Sequence, residues 1–229
     1  MSAIAENLRK VEERIAEAAI RVGRKPEEVS LVAATKDRTA EEVEEAISAG
    51  VKIVGENRVQ EAEAKFPHIH LPFQRHMIGH LQRNKVKKAL LLFDVIQSVD
   101  SLRLGEEISK RALQMGKAVE VLVEVNTSGE ATKFGVDPEE ALDLVGALSE
   151  LEGISVRGLM TVGPLSEDVG EIRRAFSLLR GLRDEIEREL DLSLPVLSMG
   201  MSGDFEVAIE EGSTMVRIGT AIFGPRSSG

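Results

Sequence analysis

Apolar side chains at Ile4, Leu8, Val11, Ile15, Ala18, Ala19 and Val22 recur at the three-and-four spacing of a helix. They predict an opening amphipathic helix ended by Gly23. The next block, residues 29–35, is short and almost wholly apolar, as suits a strand buried on both faces of a parallel sheet. Thr39 with Glu42 three residues on reads as a capping box, opening a helix that runs to Gly50. The alternation then repeats. Strands are predicted over 52–54, 73–78, 94–98, 118–125, 154–160, 195–199 and 214–218. Helices are predicted over 56–65, 81–91, 101–115, 138–151, 168–190 and 203–211, and the polar tail 226–229 is expected to fray. Eight strands alternating evenly with helices favour a single α/β domain over 1–229, a closed (β/α)8 TIM barrel. A doubly wound open sheet is the alternative.

Composition narrows the function classes. The 229 residues are 42% hydrophobic and 30% charged, as in soluble globular chains. A net charge of -10 argues against a broad nucleic-acid surface. No cysteine is present, which closes disulfides, thiolate metal sites and a cysteine nucleophile. No apolar run approaches the ~18 residues of a membrane span, and the charged N-terminus lacks a signal-peptide block. A cytoplasmic protein is expected. Tyrosine and tryptophan are both absent, so no phenol can serve as acid or base.

Lys36 stands at the end of the first strand run, where a barrel places its chemistry. Taken alone it reads as a surface lysine snorkelling from a strand mouth. Two loops late in the chain change that balance. Residues 198–203 follow a strand and open a helix, and Gly219-Thr220 follow the last strand, where (β/α)8 proteins often hold phosphate. An amine plus a phosphate cradle fits a phosphorylated aldehyde, either as cofactor or as substrate. Arg217 lies two residues before Gly219, so strand alternation can turn it into the mouth; a structural ion pair is the competing reading. His76 and His80 are four apart, but Met77 stands where a zinc helix would need glutamate, and no metal is expected. Arg83, Lys85, Lys87 and Lys88 read as a solvated helix face, with a docking patch for an anion as the second reading.

Several stretches carry a family resemblance: Ala34-Thr35-Lys36; Gly55-Glu56-Asn57 with Val59-Gln60-Glu61; His76-Met77-Ile78-Gly79-His80-Leu81-Gln82 with Asn84-Lys85; and Lys133-Phe134-Gly135. It continues through Gly158-Leu159-Met160-Thr161, Leu197-Ser198-Met199-Gly200-Met201-Ser202 and Arg217-Ile218-Gly219-Thr220. With these the chain resembles the YggS/PROSC family of pyridoxal 5'-phosphate (PLP) homeostasis proteins over nearly its whole length. The resemblance implies a barrel like the alanine racemase N-terminal domain, the fold type III PLP architecture. It implies that Lys36 holds PLP as a Schiff base, that Ser202, Gly219 and Thr220 hold the phosphate, and that Arg217 lies near the pyridine nitrogen. Asn57, His76 and Met199 would complete the pocket. Arg58 departs from the family, which commonly has tyrosine there, and this puts any role of that ring in doubt.

Racemases of this fold set lysine on one face of the cofactor and tyrosine on the other, and this chain has no tyrosine. The expectation is therefore a non-catalytic PLP carrier in vitamin B6 homeostasis, with no catalytic residue. Its partners would be PLP and, as candidates, apo PLP-dependent enzymes. A monomer is expected, because the racemase domain that builds the dimer has no counterpart here. A PLP-dependent racemase or other weak PLP enzyme is the alternative, and a lysine Schiff-base phosphosugar aldolase the third.

Overall fold

The computed structural model describes residues 2–130 and 132–225; the expected polar tail lies outside the described residues. Eight strands run in chain order around a closed barrel: β1 (Ser30–Ala34), β2 (Ile53–Glu56), β3 (Gln74–Met77), β4 (Val95–Val99), β5 (Val119–Glu124), β6 (Ile154–Met160), β7 (Val196–Ser198) and β8 (Met215–Ile218). Every neighbouring pair is parallel, and β8 closes on β1 through Val32↔Arg217 and Ala33↔Ile218. The open-sheet alternative is thereby excluded. Short strands such as β4, buried at every position, can lack polar faces because helices cover the barrel outside.

Each strand is followed by a helix that returns the chain to the barrel floor. These are α2 (Ala40–Ser48), α3 (Val59–Lys65), α4 (Val86–Leu92), α5 (Leu102–Gln114), α6 (Ala141–Ser149), α7 (Val169–Leu190), α8 (Phe205–Glu210) and α9 (Thr220–Phe223). The capping box at Thr39 forms as expected: its Oγ1 accepts from Glu42 N–H at 3.3 Å, and Glu42 Oε2 accepts from Thr39 N–H at 2.8 Å. The opening helix, α1 (Ala3–Arg21), packs on α8 and α9 and covers the seam where β8 meets β1. Its buried stripe contains Ile4, Leu8, Val11, Ile15, Ala18 and Ala19. Arg14 adds a bidentate pair to Glu206 at 3.0 and 2.9 Å.

Among the helix starts that differ from the sequence pattern, two shape the mouth of the barrel. The helix expected from 56 begins at Val59, because Glu56 completes β2 beside Met77. The helix expected from 81 begins at Val86, after a loop and a 3-10 turn over Arg83–Lys85. Leu81 is buried in the core from that loop rather than from a helix face. Among the described residues, no helix is long and apolar enough to cross a membrane.

Candidate functional site

Lys36 follows β1 in a turn completed by Asp37 at φ 60°. The strand end beneath it is fixed from the helix layer, through Lys65 of α3. Thr35 Oγ1 donates to Glu56 Oε1 at 2.6 Å, and Lys65 Nζ bonds the same carboxylate oxygen and the Thr35 carbonyl. Glu56 and Lys65 are both buried. Burial pushes the Glu56 carboxyl up against the opposing pull of Lys65. Lys36 itself is half-buried, and its amine has no hydrogen-bond or ion-pair partner among the described residues.

The amine lines a cavity of ≈ 340 Å³, at the small end of the about 300–1,000 Å³ typical of cofactor sites. Asn57, Ser202, Arg217, Gly219 and Thr220 line the same cavity. So six of the eight residues singled out from sequence converge on one space at the C-terminal ends of the strands. At the side made by β7 and β8, the backbone N–H groups of Gly219 and Ala221 converge on Ser202 Oγ, at 3.3 and 3.2 Å. A side chain at Gly219 would press its Cβ to 3.2 Å from the Ala34 carbonyl oxygen. The absent side chain lets this loop sit against the end of β1. Gly79 does the same for the β3 loop, since a Cβ there would fall 2.4 Å from the Asn57 carbonyl oxygen.

Arg217 is 4% exposed, yet among the described residues no carboxylate forms an ion pair with it. Its Nη1 donates to Ser198 O at 2.8 Å and Ser198 Oγ at 2.7 Å, and its Nη2 donates to Thr161 O at 2.7 Å. Nε makes no hydrogen bond among the described residues. Burial lowers the guanidinium to about 10, which leaves it cationic at neutral pH.

His76 and Met199 do not line the cavity. Met199 is fully buried, and it falls just past the end of β7 in the hydrophobic core. His76 acts at a distance. Its Nδ1 lies 2.7 Å from Gln97 Nε2, Gln97 Oε1 accepts from Ser198 Oγ at 2.6 Å, and Ser198 Oγ accepts from Arg217. Burial holds the imidazole down at about 4, so it is neutral and can accept from the Gln97 amide. The chain His76–Gln97–Ser198 thus orients Arg217 from behind.

Sequence reasoning missed Gln97, Arg38 and Val162, whereas Met201 and Gly203 belong to the loop over 198–203 that it singled out. Gln97 was detectable as a polar residue inside an apolar strand run. Arg38 lines the cavity and ties down the end of the described chain by donating to the carbonyls of Gly224 and Pro225. Glu124, at the end of β5, is buried, and its Oε2 has no partner among the described residues. Burial raises its carboxyl to about 7 against the pull of Arg217. The donor set at the cavity is an amine, a hydroxyl with two backbone N–H groups, and a guanidinium. That set matches, group for group, an aldehyde, a phosphate and a pyridine nitrogen.

A family model described as alanine racemase, N-terminal domain, matches residues 1–227. The pyridoxal phosphate homeostasis protein of Aquifex aeolicus is 46% identical over 222 residues, covering 96% of this chain and 97% of its own. The structure of PipY from Synechococcus elongatus with PLP bound superposes with a TM-score of 0.83 at 35% identity, covering 96% of this chain and all of that one. Alanine racemase of Clostridium difficile shares the fold at 16% identity and a TM-score of 0.74, and the match spans 57% of its length. With that identity over nearly its full length, the chain belongs to the pyridoxal phosphate homeostasis proteins, built on the alanine racemase N-terminal barrel.

Proposed function

We propose that the cavity binds PLP for intracellular PLP homeostasis, with Lys36 as the covalent anchor. The single observation that carries this reading is one cavity with an unpartnered amine and a ready anion cradle. Lys36 Nζ takes the aldehyde carbon. Ser202 Oγ, the Gly219 and Ala221 N–H groups and Thr220 receive the phosphate, and Arg217 faces the ring nitrogen. Asn57 closes the cavity beside the amine. The named function of the relatives and the PLP held by PipY support the same reading.

Bound PLP supplies an aldehyde that condenses reversibly with amines and a ring that can withdraw electrons. The residues here hold it without using the ring. A guanidinium only donates, so Arg217 gives the ring nitrogen no anionic partner to keep it protonated. No tyrosine exists to move a proton at the face opposite Lys36. The protein therefore retains and releases the cofactor rather than turning over an amino acid, and it works as a carrier in the cytoplasm.

The test is the visible spectrum of the protein after PLP is added and the excess removed, beside Lys36→Ala. A band bleached by borohydride in the parent and missing from the variant is expected; no band in the parent overturns the anchor. Incubating the loaded protein with alanine in deuterated water tests the carrier role. α-Hydrogen exchange at enzymatic rates would make the protein a PLP enzyme instead.

A further inference from the structure

Lys36 opens on two spaces. On the side away from the anion cradle, a groove of ≈ 650 Å³ runs between the loops after β2 and β3. It shares Lys36 and Asn57 with the cofactor cavity but none of Ser202, Arg217, Gly219 or Thr220. Its floor is apolar, made by the buried side chains of Val59, Met77 and Leu81.

The walls carry cations without matching anions. Lys85 is half-buried, and its amine has no partner among the described residues. Among the described residues Arg58 meets only Glu61, at a loose 3.8 Å. The other Glu61 oxygen accepts from the Asp37 N–H at 3.3 Å, so the one acid in the groove is already engaged. Lys36, Arg58 and Lys85 thus form a positive pocket on a chain of net charge -10. Cations lining a concave surface with an apolar floor focus their field into it and raise the local concentration of anions. The apolar floor selects a ligand that brings carbon as well as charge.

We propose that this groove is an anion subsite for a small organic anion, a carboxylate or phosphate on a short carbon body. Its head group sits on Lys85 and Arg58, and its body lies on Val59, Met77 and Leu81 beside Lys36. The consequence for cofactor capture rests on the PLP reading; the site itself does not. An anion there sits beside the amine that captures an aldehyde and competes for access to it. The occupant thereby slows uptake of the cofactor.

The test uses PLP-loaded protein, so that the anion cradle is filled. Backbone amide NMR spectra are recorded during titration with sodium phosphate and, separately, with sodium succinate, at an ionic strength fixed with sodium chloride. Saturable shifts are expected at the amides of 57–61 and 79–85. The Arg58→Gln/Lys85→Gln double variant should weaken them about tenfold or more, because it removes two charge-assisted contacts. Whichever anion saturates first identifies the head group. Shifts that never saturate, that persist in the double variant, or that gather at 202 and 219–221 would overturn the proposal. If the protein shows no visible band with PLP, the same titration on the unloaded protein decides the groove separately, because its residues are not those of the cradle.

Discussion

Replacing Glu124 with glutamine should make the protein more stable at pH 8, a direction opposite to that of most buried substitutions. Glu124 is 5% exposed, its Oε2 has no partner among the described residues, and burial holds its carboxyl at about 7 rather than the ordinary 4.5. A group with a raised folded-state pKa stabilises fully below the unfolded value, and that stability is lost as pH rises through the folded one. At about 1.4 kcal/mol per pH unit, ionising Glu124 inside the barrel costs about 3 kcal/mol. Of that, about 2.5 kcal/mol disappears between pH 5 and pH 8. Glutamine stays neutral throughout and removes this slope.

The assay is urea unfolding followed by far-ultraviolet circular dichroism, since the chain has no tryptophan or tyrosine to report by fluorescence. The stability difference between Glu124→Gln and the parent should grow by about 2.5 kcal/mol from pH 5 to pH 8. That equals a relative rise in Tm of about 5–10 °C for a chain of this size. Glu56 and Asp204 are also raised by burial, and His76 is lowered, but these contributions cancel between parent and variant. A difference that stays constant across the pH range would refute the burial argument for Glu124.

Three further outcomes follow from the same geometry. Lys65→Ala leaves the Glu56 carboxylate buried beside only the Thr35 hydroxyl, and should cost about 3–5 kcal/mol in urea unfolding; a loss below about 1 kcal/mol would mean that the pair is not held away from water. Ser202→Ala should weaken PLP retention about tenfold while leaving affinity for unphosphorylated pyridoxal unchanged; equal loss for both ligands would take the phosphate away from Ser202. Gln97→Leu breaks the chain from His76 to Ser198 and should cost about 1–3 kcal/mol in stability. By freeing Arg217 it should also speed release of PLP on dialysis, and unchanged release would confine Gln97 to a structural role.

The barrel was legible because most of its strands are short apolar runs at an even spacing, a pattern that tertiary context has little room to override. The misplaced helix starts have local causes. Glu56 resembles the acidic residue that favours a helix's first turn, but Lys65 and Thr35 are placed to take it inward as the end of a strand. Leu81 is expected to open the helix that carries Val86, Ala89 and Leu90, yet Gly79 folds against Asn57 and leaves Leu81 on a loop. The cavity-lining residues sit at strand ends or in the loops that follow them, where (β/α)8 topology gathers them. His76 and Gln97 carry no such positional signal. Their link to Arg217 crosses β3, β4 and β7, and only the closed barrel brings those strands into one layer.

The charge of the site explains why such a protein would hold an anion tightly while remaining acidic overall. Arg217 is fixed by the neutral acceptors Ser198 and Thr161 instead of by a carboxylate. The two acids that feel it, Glu124 and Asp204, are pushed by burial toward their neutral forms. Lys36 has no anionic partner among the described residues. A buried cation costs free energy unless something compensates it, and here the protein supplies dipoles and leaves the anionic role open. A phosphorylated ligand fills that role, so binding should stabilise the fold by an amount that rises with ligand concentration. Of the two acids, Glu124 becomes charged as pH rises through about 7 and then neutralises Arg217. The preference for an anionic ligand should therefore weaken from pH 6 to pH 8, and Glu124→Gln should abolish most of that loss. Titrating inorganic phosphate into parent and variant at both pH values measures it directly, and equal pH dependence in the two proteins would remove Glu124 from the electrostatics of the cavity.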